Sequence, residues 1–297
     1  MTNLEIQAFL AICKLKNISK AAEELFISQS SLSARLKTLE DELGYTLILR
    51  NKGAREIALT PQGQTFYTLA LQHQEIERKM KNIGKTDITD ELKVSVLDSL
   101  GNYMFTHIFE VFTRKYPNIK LTIQDMEAEM ASINIICGRT DVAFSNADIQ
   151  TEQIISTPFL AEPYAIVTAL SSDLPDVVAF DDLPMDGEVY TSWSVAYKYW
   201  HRDTFGTDYI PRIELDLMGQ FGLFASEPGR WAIIPESIAD NITVTYPLRK
   251  CKPGFTVPDR VINVLQDRDK TKAPNVVIFL DTVRQVLSET VPGVRLL

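Results

Sequence analysis

Residues 18 to 43 read ISKAAEELFISQSSLSARLKTLEDEL and contain two short amphipathic helical patterns separated by a polar break. Apolar residues at spacings of three and four share one face of a helix. They are Ala22, Leu25, Ile27, Leu32, Leu36, Leu39 and Leu43. Ser19 and Ser28 precede the two patterns, where a hydroxyl can accept a hydrogen bond from a free backbone N–H. With Phe26 as part of a short connection, the segment predicts a helix-turn-helix.

The second helix of this pair leaves polar residues outside its leucine stripe. Glutamine, serine and backbone N–H groups near a helix N-terminus suit base edges and phosphates, while Arg and Lys neutralise phosphate charge. The predicted DNA-contacting residues are Gln29, Ser30, Ser33, Ala34 and Lys37, with Arg35 at the margin of the stripe. Double-stranded DNA is therefore the expected partner. Taken alone, the segment also fits an amphipathic hairpin with a solvated polar face.

A basic hairpin is predicted directly after these helices. Residues 47–50 and 56–59 read as two short strands around the turn NKGAR, residues 51–55. A basic tip beside a recognition helix can reach the DNA backbone or the adjacent minor groove, where arginine is favoured. Arg50, Lys52 and Arg55 are accordingly predicted to contact DNA from this wing.

Residues 4 to 63 resemble the winged DNA-binding domain of LysR-type transcriptional regulators. The matching residues are Phe9, AAEEL at 21–25, SQSSLSARLKTLEDELG at 28–44, Leu47, Arg50 and LTPQG at 59–63. The family often has Arg-Gln where this chain has Ala34-Arg35. The resemblance implies a bacterial regulator that binds promoter DNA as a homodimer or homotetramer and responds to a small-molecule effector. An activator of this kind would also contact RNA polymerase.

A long helix is predicted from Pro61 to about Lys85, because proline suits a helix's first turn and an apolar side follows. That side consists of Phe66, Leu69, Ile76, Met80 and Ile83. A helix of this length standing apart from a compact domain needs a partner for its apolar side, so we expect self-association. Packing against its own domain is the alternative. In the LysR-type resemblance this segment is a linker helix that dimerises antiparallel.

The charge is unevenly distributed along the chain. The 297 residues carry a net charge of −9, which by itself disfavours DNA binding. Residues 1–90 contain 12 Lys/Arg and 11 Asp/Glu, and residues 91–297 contain 18 and 28. The first part is thus near +1 and the second near −10. A thin positive excess predicts modest DNA affinity per monomer, a strong salt dependence, and a need for two copies.

The residue pattern changes from helical to alternating strand and helix after about residue 90. The predicted strands are 92–97, 119–124, 141–144, 163–170, 188–191, 213–216, 231–234, 242–246 and 260–265, and the predicted helices are 103–116, 130–137, 197–205, 218–226 and 274–287. This alternation predicts α/β units with a parallel sheet. In the resemblance, the last helix returns to the first subdomain, which gives two lobes like those of periplasmic solute-binding proteins.

The predicted fold is therefore α+β: a winged helix-turn-helix, a long linker helix and a two-lobed α/β effector domain. Its parts are residues 1–60, the linker at 61–87 and the effector domain at 88–297, with lobe I at about 88–162 and 265–297 and lobe II at about 163–264.

An effector is expected between the lobes, at strand ends and helix starts. Three segments fall there and offer hydroxyls, amides, free N–H groups and aromatic rings. The candidate residues are Ser99, Leu100, Gly101, Asn102, Ser145, Asn146, Thr191, Ser192 and Trp193, together with Trp231. The alternatives are helix capping by Ser99 or Asn102, ordinary turns, and a core position for Trp231.

Other functional classes have less support. The chain lacks the hydrolase, zinc-protease and phosphate-loop motifs, and its three histidines are scattered, so we expect no enzyme, metal or cofactor. Glu5, Gln7 and Lys14 interrupt the apolar start, and no run is long enough to span a membrane. We therefore expect a cytoplasmic protein, associated with the bacterial nucleoid when bound to DNA, and neither a membrane partner nor an exported solute-binding protein.

The cysteines leave a redox-sensing regulator as a further alternative. Cys13, Cys137 and Cys251 are far apart and form no CxxC pair, so neither a disulfide framework nor a zinc site is indicated. Cys137 lies in an apolar helical segment and is expected to be buried. Cys251 lies between Lys250 and Lys252, and cations lower the pKa of a thiol, which makes it the better redox candidate.

Overall fold

The chain folds into two compact units. The structure is a computed structural model that describes residues 1–49, 57–82, 90–125, 128–291 and 293–297. One unit comprises residues 1–87 with 136–139, and the other comprises residues 88–135 with 140–297. Within the described ranges, no helix is both long enough and apolar enough to cross a membrane.

The first unit is built on a cluster of helices. They are α1 (Asn3–Leu15), α2 (Ile18–Glu24), α3 (Gln29–Leu43) and α4 (Pro61–Asn82). Helices α2 and α3 form the predicted helix-turn-helix, and Phe26 between them has a left-handed backbone with φ of 54°. Ser28 caps α3 by accepting a hydrogen bond from the amide of Ser31 at 3.1 Å, as predicted. The predicted cap of α2 at Ser19 was wrong. Asn17 caps this helix instead, because its side chain accepts a hydrogen bond from the amide of Lys20 at 3.0 Å.

The short strands β1 (Ile48–Leu49) and β2 (Ala58–Leu59) pair antiparallel at the base of the predicted wing. Helix α4 starts immediately after β2. The Thr60 hydroxyl caps the N-terminus of α4 by accepting a hydrogen bond from the amide of Gly63 at 2.9 Å. The same hydroxyl donates to the carbonyl of Thr46 at 2.8 Å. Gly63 lies so close to the backbone of Leu47 that any Cβ would clash with it. The LTPQG segment therefore fixes α4 against the wing.

The second unit contains two lobes, and the first lobe is organised around a sheet of mixed direction. Its strands are β3 (Asp90–Val96), β4 (Ile119–Asp125), β5 (Val142–Ser145), β6 (Ile154–Glu162), β13 (Arg260–Asp267) and β14 (Arg295–Leu296), in the order β14-β6-β13-β5-β3-β4. The parallel sheet predicted from strands 92–97, 119–124 and 141–144 is confirmed, since β3 pairs parallel with both β4 and β5. Strand β13 pairs antiparallel with both β5 and β6, because the chain reaches it on its return from the second lobe.

Helices cover this sheet around a core of phenylalanine and aliphatic side chains. The helices of the first lobe are α5 (Asp98–Tyr103), α6 (Thr106–Lys115), α7 (Ala128–Ile136) and α11 (Pro274–Thr290). The predicted single helix 103–116 is thus preceded by a separate short helix, α5, that begins at Asp98. The segment 98–102 was predicted as a strand-to-helix connection, but it is itself helical.

The second lobe contains a sheet of order β11-β7-β12-β8 and a two-stranded parallel sheet of β9 and β10. Its strands are β7 (Tyr164–Ala169), β8 (Val177–Val178), β9 (Val189–Tyr190), β10 (Ile213–Glu214), β11 (Trp231–Pro235) and β12 (Leu248–Pro253), and its helices are α8 (Val195–Phe205), α9 (Met218–Ala225) and α10 (Glu236–Thr245). Strand β7 is antiparallel to both β11 and β12. The lobe has its own aromatic-rich core.

Two predictions about the second lobe were wrong. Residues 242–246 were predicted as a strand, but residues up to Thr245 belong to α10, in which Ile238, Ala239 and Ile242 are buried at helical spacing. Residues 260–264 were assigned to lobe II, but β13 begins at Arg260 and lies in the sheet of the first lobe. The return crossover therefore lies before Arg260.

Candidate functional site

The recognition helix α3 presents its predicted DNA-contacting residues at its surface. Gln29, Ser30, Ala34 and Lys37 are exposed, and Ser33 and Arg35 are partly exposed. Leu32, Leu36 and Leu39 on the opposite side are fully buried. The amphipathic pattern therefore placed the exposed and buried faces of α3 correctly.

Hydrogen bonds order the N-terminus of α3. The Ser28 hydroxyl lies 2.9 Å from that of Ser30 and 2.8 Å from that of Ser31. On α2, Ser19 donates its hydroxyl to Oε1 of Gln29 at 3.3 Å. The free N–H groups and these positioned side chains form a surface suited to phosphate and base-edge contacts. Ser19 therefore orients Gln29 instead of capping α2.

The predicted wing residues Arg50, Lys52 and Arg55 lie outside the described residues. The strands β1 and β2 that carry the hairpin are described, and β1 is joined to α3. Oε1 of Glu40 accepts hydrogen bonds from the amides of Leu47 at 2.7 Å and Ile48 at 3.3 Å. The base of the wing is thus attached to the recognition helix.

Helix α4 carries an exposed apolar face. Leu69, Ile76 and Met80 are 55%, 57% and 60% exposed, whereas the predicted residue Ile83 lies outside the described part of the chain. Phe66 is buried instead, with its ring centroid 5.2 Å from that of Phe9. The structure fits both predicted roles of α4, packing on its own domain and self-association. Phe66 packs the helix against Phe9, while Leu69, Ile76 and Met80 form an exposed apolar surface.

A buried charged cluster lies where the two lobes join. Arg260 donates from Nη1 to Oε1 of Glu162 at 3.1 Å and from Nη2 to Oγ of Ser99 at 2.6 Å. Oε2 of Glu162 accepts from the hydroxyl of Ser237 at 2.6 Å. The guanidinium carbon of Arg260 lies 5.7 Å from the ring centroid of Trp193, a cation–π distance. The cluster, called the hinge cluster below, comprises Ser99, Glu162, Trp193, Ser237 and Arg260.

Other hydrogen bonds join the lobes beside the hinge cluster. Asn146 in the first lobe donates its side-chain amide to the carbonyl of Trp193 in the second at 2.7 Å. The hydroxyl of Tyr103 donates to the carbonyl of Met218 at 3.0 Å, and Asn241 donates to the carbonyl of Tyr103 at 3.2 Å. Side chains from both lobes thus line the junction where an effector was predicted.

The predicted effector residues occupy different positions. Ser99, Asn146 and Trp193 lie at this junction, and Leu100 is fully buried in the first lobe's core. Asn102 donates to Asp98 within α5 at 2.5 Å, and Oγ of Ser145 accepts from the amide of Ala147 at 3.1 Å. Gly101 is partly exposed on α5, and Ser192 is exposed. The hydroxyl of Thr191 donates to the carbonyl of Leu215 at 2.6 Å. Trp231 is fully buried.

Trp231 belongs to the second lobe's core. Its indole N–H donates to the carbonyl of Pro184 at 2.7 Å, so contact with an effector would require that core to open. Glu162, Tyr164, Ser237 and Arg260 were not selected from the sequence. Single charged or polar residues on separate segments carry no local pattern. The pairing of β6 with β13 brings Glu162 and Arg260 together, and α10 adds Ser237.

The cysteines are poorly suited to redox chemistry. Burial raises the pKa of Cys251, an effect only partly opposed by Arg249, so the expected lowering by neighbouring cations was wrong. Burial likewise raises the pKa of Cys137 and raises that of Cys13 to about 12. Cys137 and Cys251 are both buried, as expected for the former. In the described part of the chain, no group of three or more His, Cys, Asp or Glu side chains is arranged to hold a metal.

Two models of LysR-family domains match the chain. Residues 4–64 match the model described as "Bacterial regulatory helix-turn-helix protein, lysR family", and residues 85–288 match the "LysR substrate binding domain". The uncharacterized regulator YcgK of Bacillus subtilis is 29% identical over 159 residues, which cover 52% of this chain and 48% of YcgK. BenM of Acinetobacter baylyi is 26% identical over 154 residues, with 51% and 50% covered. The chain spans about half the length of the curated relatives it matches.

Solved structures extend the likeness of fold along the whole chain. A full-length OxyR variant from Pseudomonas aeruginosa has a TM-score of 0.63 at 19% identity, and the match covers 96% of this chain and 95% of that one. Full-length CbnR in complex with its target DNA also has a TM-score of 0.63, at 17% identity, with 96% and 99% covered. At these identities the likeness describes the fold.

Proposed function

Because the chain belongs to the LysR family of bacterial regulatory proteins, we propose that it is a sequence-specific, DNA-binding transcriptional regulator. Its first unit would bind double-stranded promoter DNA through α3 and the wing, and its second unit would bind a small-molecule effector between the lobes. The protein would act in the cytoplasm at the nucleoid, not as an enzyme, and it would contact RNA polymerase if it activates transcription.

The observation that carries the proposal is the two-sided character of α3. Leu32, Leu36 and Leu39 are fully buried, while Gln29, Ser30, Ala34 and Lys37 remain exposed beside an ordered helix N-terminus. A recognition helix with this arrangement presents its N-terminal residues to the major groove. Residues Ser33, Arg35, Arg50, Lys52 and Arg55 complete the proposed DNA interface.

The exposed apolar face of α4 supports a homodimer as the binding species, with a homotetramer as its extension. A two-fold dimer presents two recognition helices, and its DNA site should therefore have dyad symmetry. Doubling also compensates for the weak positive charge of residues 1–90. A regulator of this design responds to an effector when the effector binds one conformation better than another.

The test is a selection of duplex DNA from a random pool by the full-length chain. We expect enrichment of a dyad-symmetric sequence, and its affinity should fall steeply with salt because phosphate contacts release counterions. Lys37→Ala should weaken binding and reduce the salt slope by about 1 for each protomer that loses a phosphate contact. Lys272→Ala, at an exposed position in the second unit, is the matched control.

Two results would contradict the proposal. One is a pool that shows no sequence enrichment, and the other is an affinity for the enriched sequence that does not change with salt concentration. The sensing part is tested separately by a thermal-shift screen of small metabolites on the full-length chain, because a ligand that binds only the folded state raises its apparent stability.

A further inference from the structure

A cavity of about 470 Å³ lies in the second lobe, and none of the residues that line it belongs to the hinge cluster. Its walls come from the end of β9, from one face of α8 and from the loop after that helix, all within residues 190–211. Gly206 ends α8 with φ of 98°, a conformation that favours glycine, and the loop then brings Tyr209 and Pro211 to the cavity. A cavity of this volume, called the α8 cavity below, can hold a small organic molecule.

A buried histidine forms part of the cavity wall. The His201 side chain is 7% exposed, and its Nε2 atom lies 2.8 Å from Oε1 of Glu188, which is 1% exposed. Since a carboxylate can only accept a hydrogen bond, Nε2 carries the proton, and Nδ1 of the neutral ring is an acceptor. Nδ1 has no partner in the described part of the chain. The cavity therefore offers an oriented acceptor to a hydroxyl group of a ligand.

Tyrosine rings surround this acceptor. The ring centroid of Tyr190 lies 4.5 Å from that of His201, and the ring centroid of Tyr209 lies 5.8 Å from it. Tyr190 is 8% exposed, whereas Tyr199 lines the same cavity and is 55% exposed. Aromatic side chains bind planar ligands by stacking, and every nucleobase has a face that stacks in this way. The exposed ring of Tyr199 can therefore accept a planar heterocycle.

Two cations on α8 line the same cavity. Lys198 and Arg202 are four residues apart and so share one face of the helix. The exposed ammonium of Lys198 pairs with no carboxylate among the described residues. Arg202 lies 3.6 Å from exposed Asp203, and a pair of this kind contributes little to stability. Since no residue that lines the cavity is acidic, the two cations suit a phosphate monoester, whose charge approaches −2.

We propose that the α8 cavity binds a nucleoside monophosphate. The phosphate contacts Lys198 and Arg202, and the base stacks on Tyr199. A hydroxyl of the ribose donates a hydrogen bond to Nδ1 of His201. A nucleoside without the phosphate, or a sugar phosphate without the base, makes only some of these contacts. The inference goes beyond the proposed function, because it adds a ligand site within the second lobe alone and does not depend on DNA binding.

The experiment titrates the full-length chain with adenosine and uridine monophosphates by calorimetry, at constant ionic strength. The comparison ligands each lack one contact: the nucleosides lack the phosphate, ribose 5-phosphate lacks the base, and the 2′,3′-dideoxy nucleotides lack the ribose hydroxyls. We expect one nucleotide to bind saturably to each chain. Each comparison ligand should bind at least about fivefold more weakly, as expected for loss of a hydrogen bond to a charged group or of base stacking.

Two variants locate the site on α8. Lys198→Ala should raise the Kd of the nucleotide at least about fivefold and reduce its dependence on salt, because a phosphate contact is lost. Tyr199→Ala should raise the Kd by a similar factor and leave the salt dependence unchanged, because it removes only stacking. Both residues are exposed, so we expect both variants to fold, which circular dichroism melting checks.

Lys115→Ala is the matched control. Lys115 is an exposed lysine on α6, and its ammonium lies 5.5 Å from the ring centroid of Tyr116, so the local chemistry resembles that of α8. This variant should keep the affinity of the unchanged chain. The inference is overturned if neither nucleotide binds saturably, or if a comparison ligand binds as tightly as its nucleotide. It is also overturned if either Lys198→Ala or Tyr199→Ala leaves the Kd unchanged.

The two proposals fail in different ways. Selective DNA binding by a chain that binds no nucleotide would refute the ligand assignment and leave the regulator intact. Nucleotide binding at the α8 cavity by a chain that enriches no DNA sequence would refute the regulator and leave the site intact.

Discussion

Glu40 of the recognition helix accepts hydrogen bonds at Oε1 from the backbone amides of Leu47, at 2.7 Å, and Ile48, at 3.3 Å. One carboxylate therefore joins α3 to the strand that begins the wing. Glu40 is the first residue of the acidic run 40–42, and it stabilises the base of the wing.

Glu40→Ala should loosen the base of the wing. Hydrogen bonds to a charged group contribute roughly 1.5–3 kcal/mol each, so we expect amide exchange in residues 45–49 to accelerate by about tenfold or more. Hydrogen-exchange mass spectrometry measures this, with exposed Asp41→Ala as the control. Equal protection in the two variants would show that the Glu40 contacts do not stabilise the wing.

Ile76→Glu should prevent self-association through α4. The Ile76 side chain is 57% exposed in the single chain, and a two-fold interface would bury the new charge twice. We expect the dimer dissociation constant to rise by at least about a hundredfold, because a buried unpaired charge costs several kcal/mol per site. Sedimentation equilibrium provides the measurement. His73→Glu adds the same charge to an exposed position of α4, and an identical mass for both variants would point to another dimer surface.

Asn146→Ala should weaken the contact between the lobes. The substitution removes the hydrogen bond from the Asn146 amide to the carbonyl of Trp193, worth about 1 kcal/mol. We expect amide exchange at residues 191–194 to rise by about fivefold and the fluorescence of the tryptophans to change. Asn102→Ala removes only a contact within α5 and should leave both signals unchanged. Similar changes in the two variants would indicate a general loss of packing instead.

The raised pKa of Cys13 predicts a loss of stability at alkaline pH. Burial raises this pKa from 9.0 to about 12, so above pH 9 the unfolded chain releases a proton that the folded chain keeps. The unfolded state then gains stability, and the urea midpoint should fall as the pH rises from 9 towards 12. Cys13→Ala should make this dependence less steep, and the remaining slope comes from other groups whose pKa is raised by burial, among them Cys137 and Cys251. An unchanged pH profile in the variant would show that other groups cause the loss.

The same burial predicts slow thiol chemistry at neutral pH. Native Cys13, with a pKa three units above 9.0, would hold about a thousandfold less thiolate than a free thiol. Cys137 and Cys251 should also react slowly with iodoacetamide until the chain is unfolded in guanidinium. Rapid oxidation of native Cys251 by peroxide would restore the redox-sensing alternative.

Much of the fold follows from local sequence pattern. The leucine spacing of α3 and the cap at Ser28 suffice for the helix-turn-helix, because helical periodicity and capping are local properties. The region 242–246 reads ITVTY, and its β-branched residues favour a strand. Burial of Ile238 and Ile242 on one helical face outweighs that preference. Strand β6 was missed altogether, since Pro158 interrupts its pattern.

The effector region was less accessible to prediction. Ser99 and Trp193 were selected because hydroxyl and aromatic groups follow strand ends, a signal that the sequence carries. Glu162 and Arg260 are separated by 98 positions, and no local sequence pattern around either residue predicts its contact with the other. Their pairing depends on the antiparallel return of β13 to the first lobe's sheet, and no local sequence pattern indicates which strand β13 joins there.

The register of β6 and β13 constrains how the two lobes can move. Their ladder runs up to the pair of Glu162 and Arg260, at the very place where one strand leaves the first lobe and the other enters it. Two strands hydrogen-bonded at that point cannot turn independently, so both connections must bend together about one axis. A relative motion of the lobes is therefore restricted to directions that both connections allow.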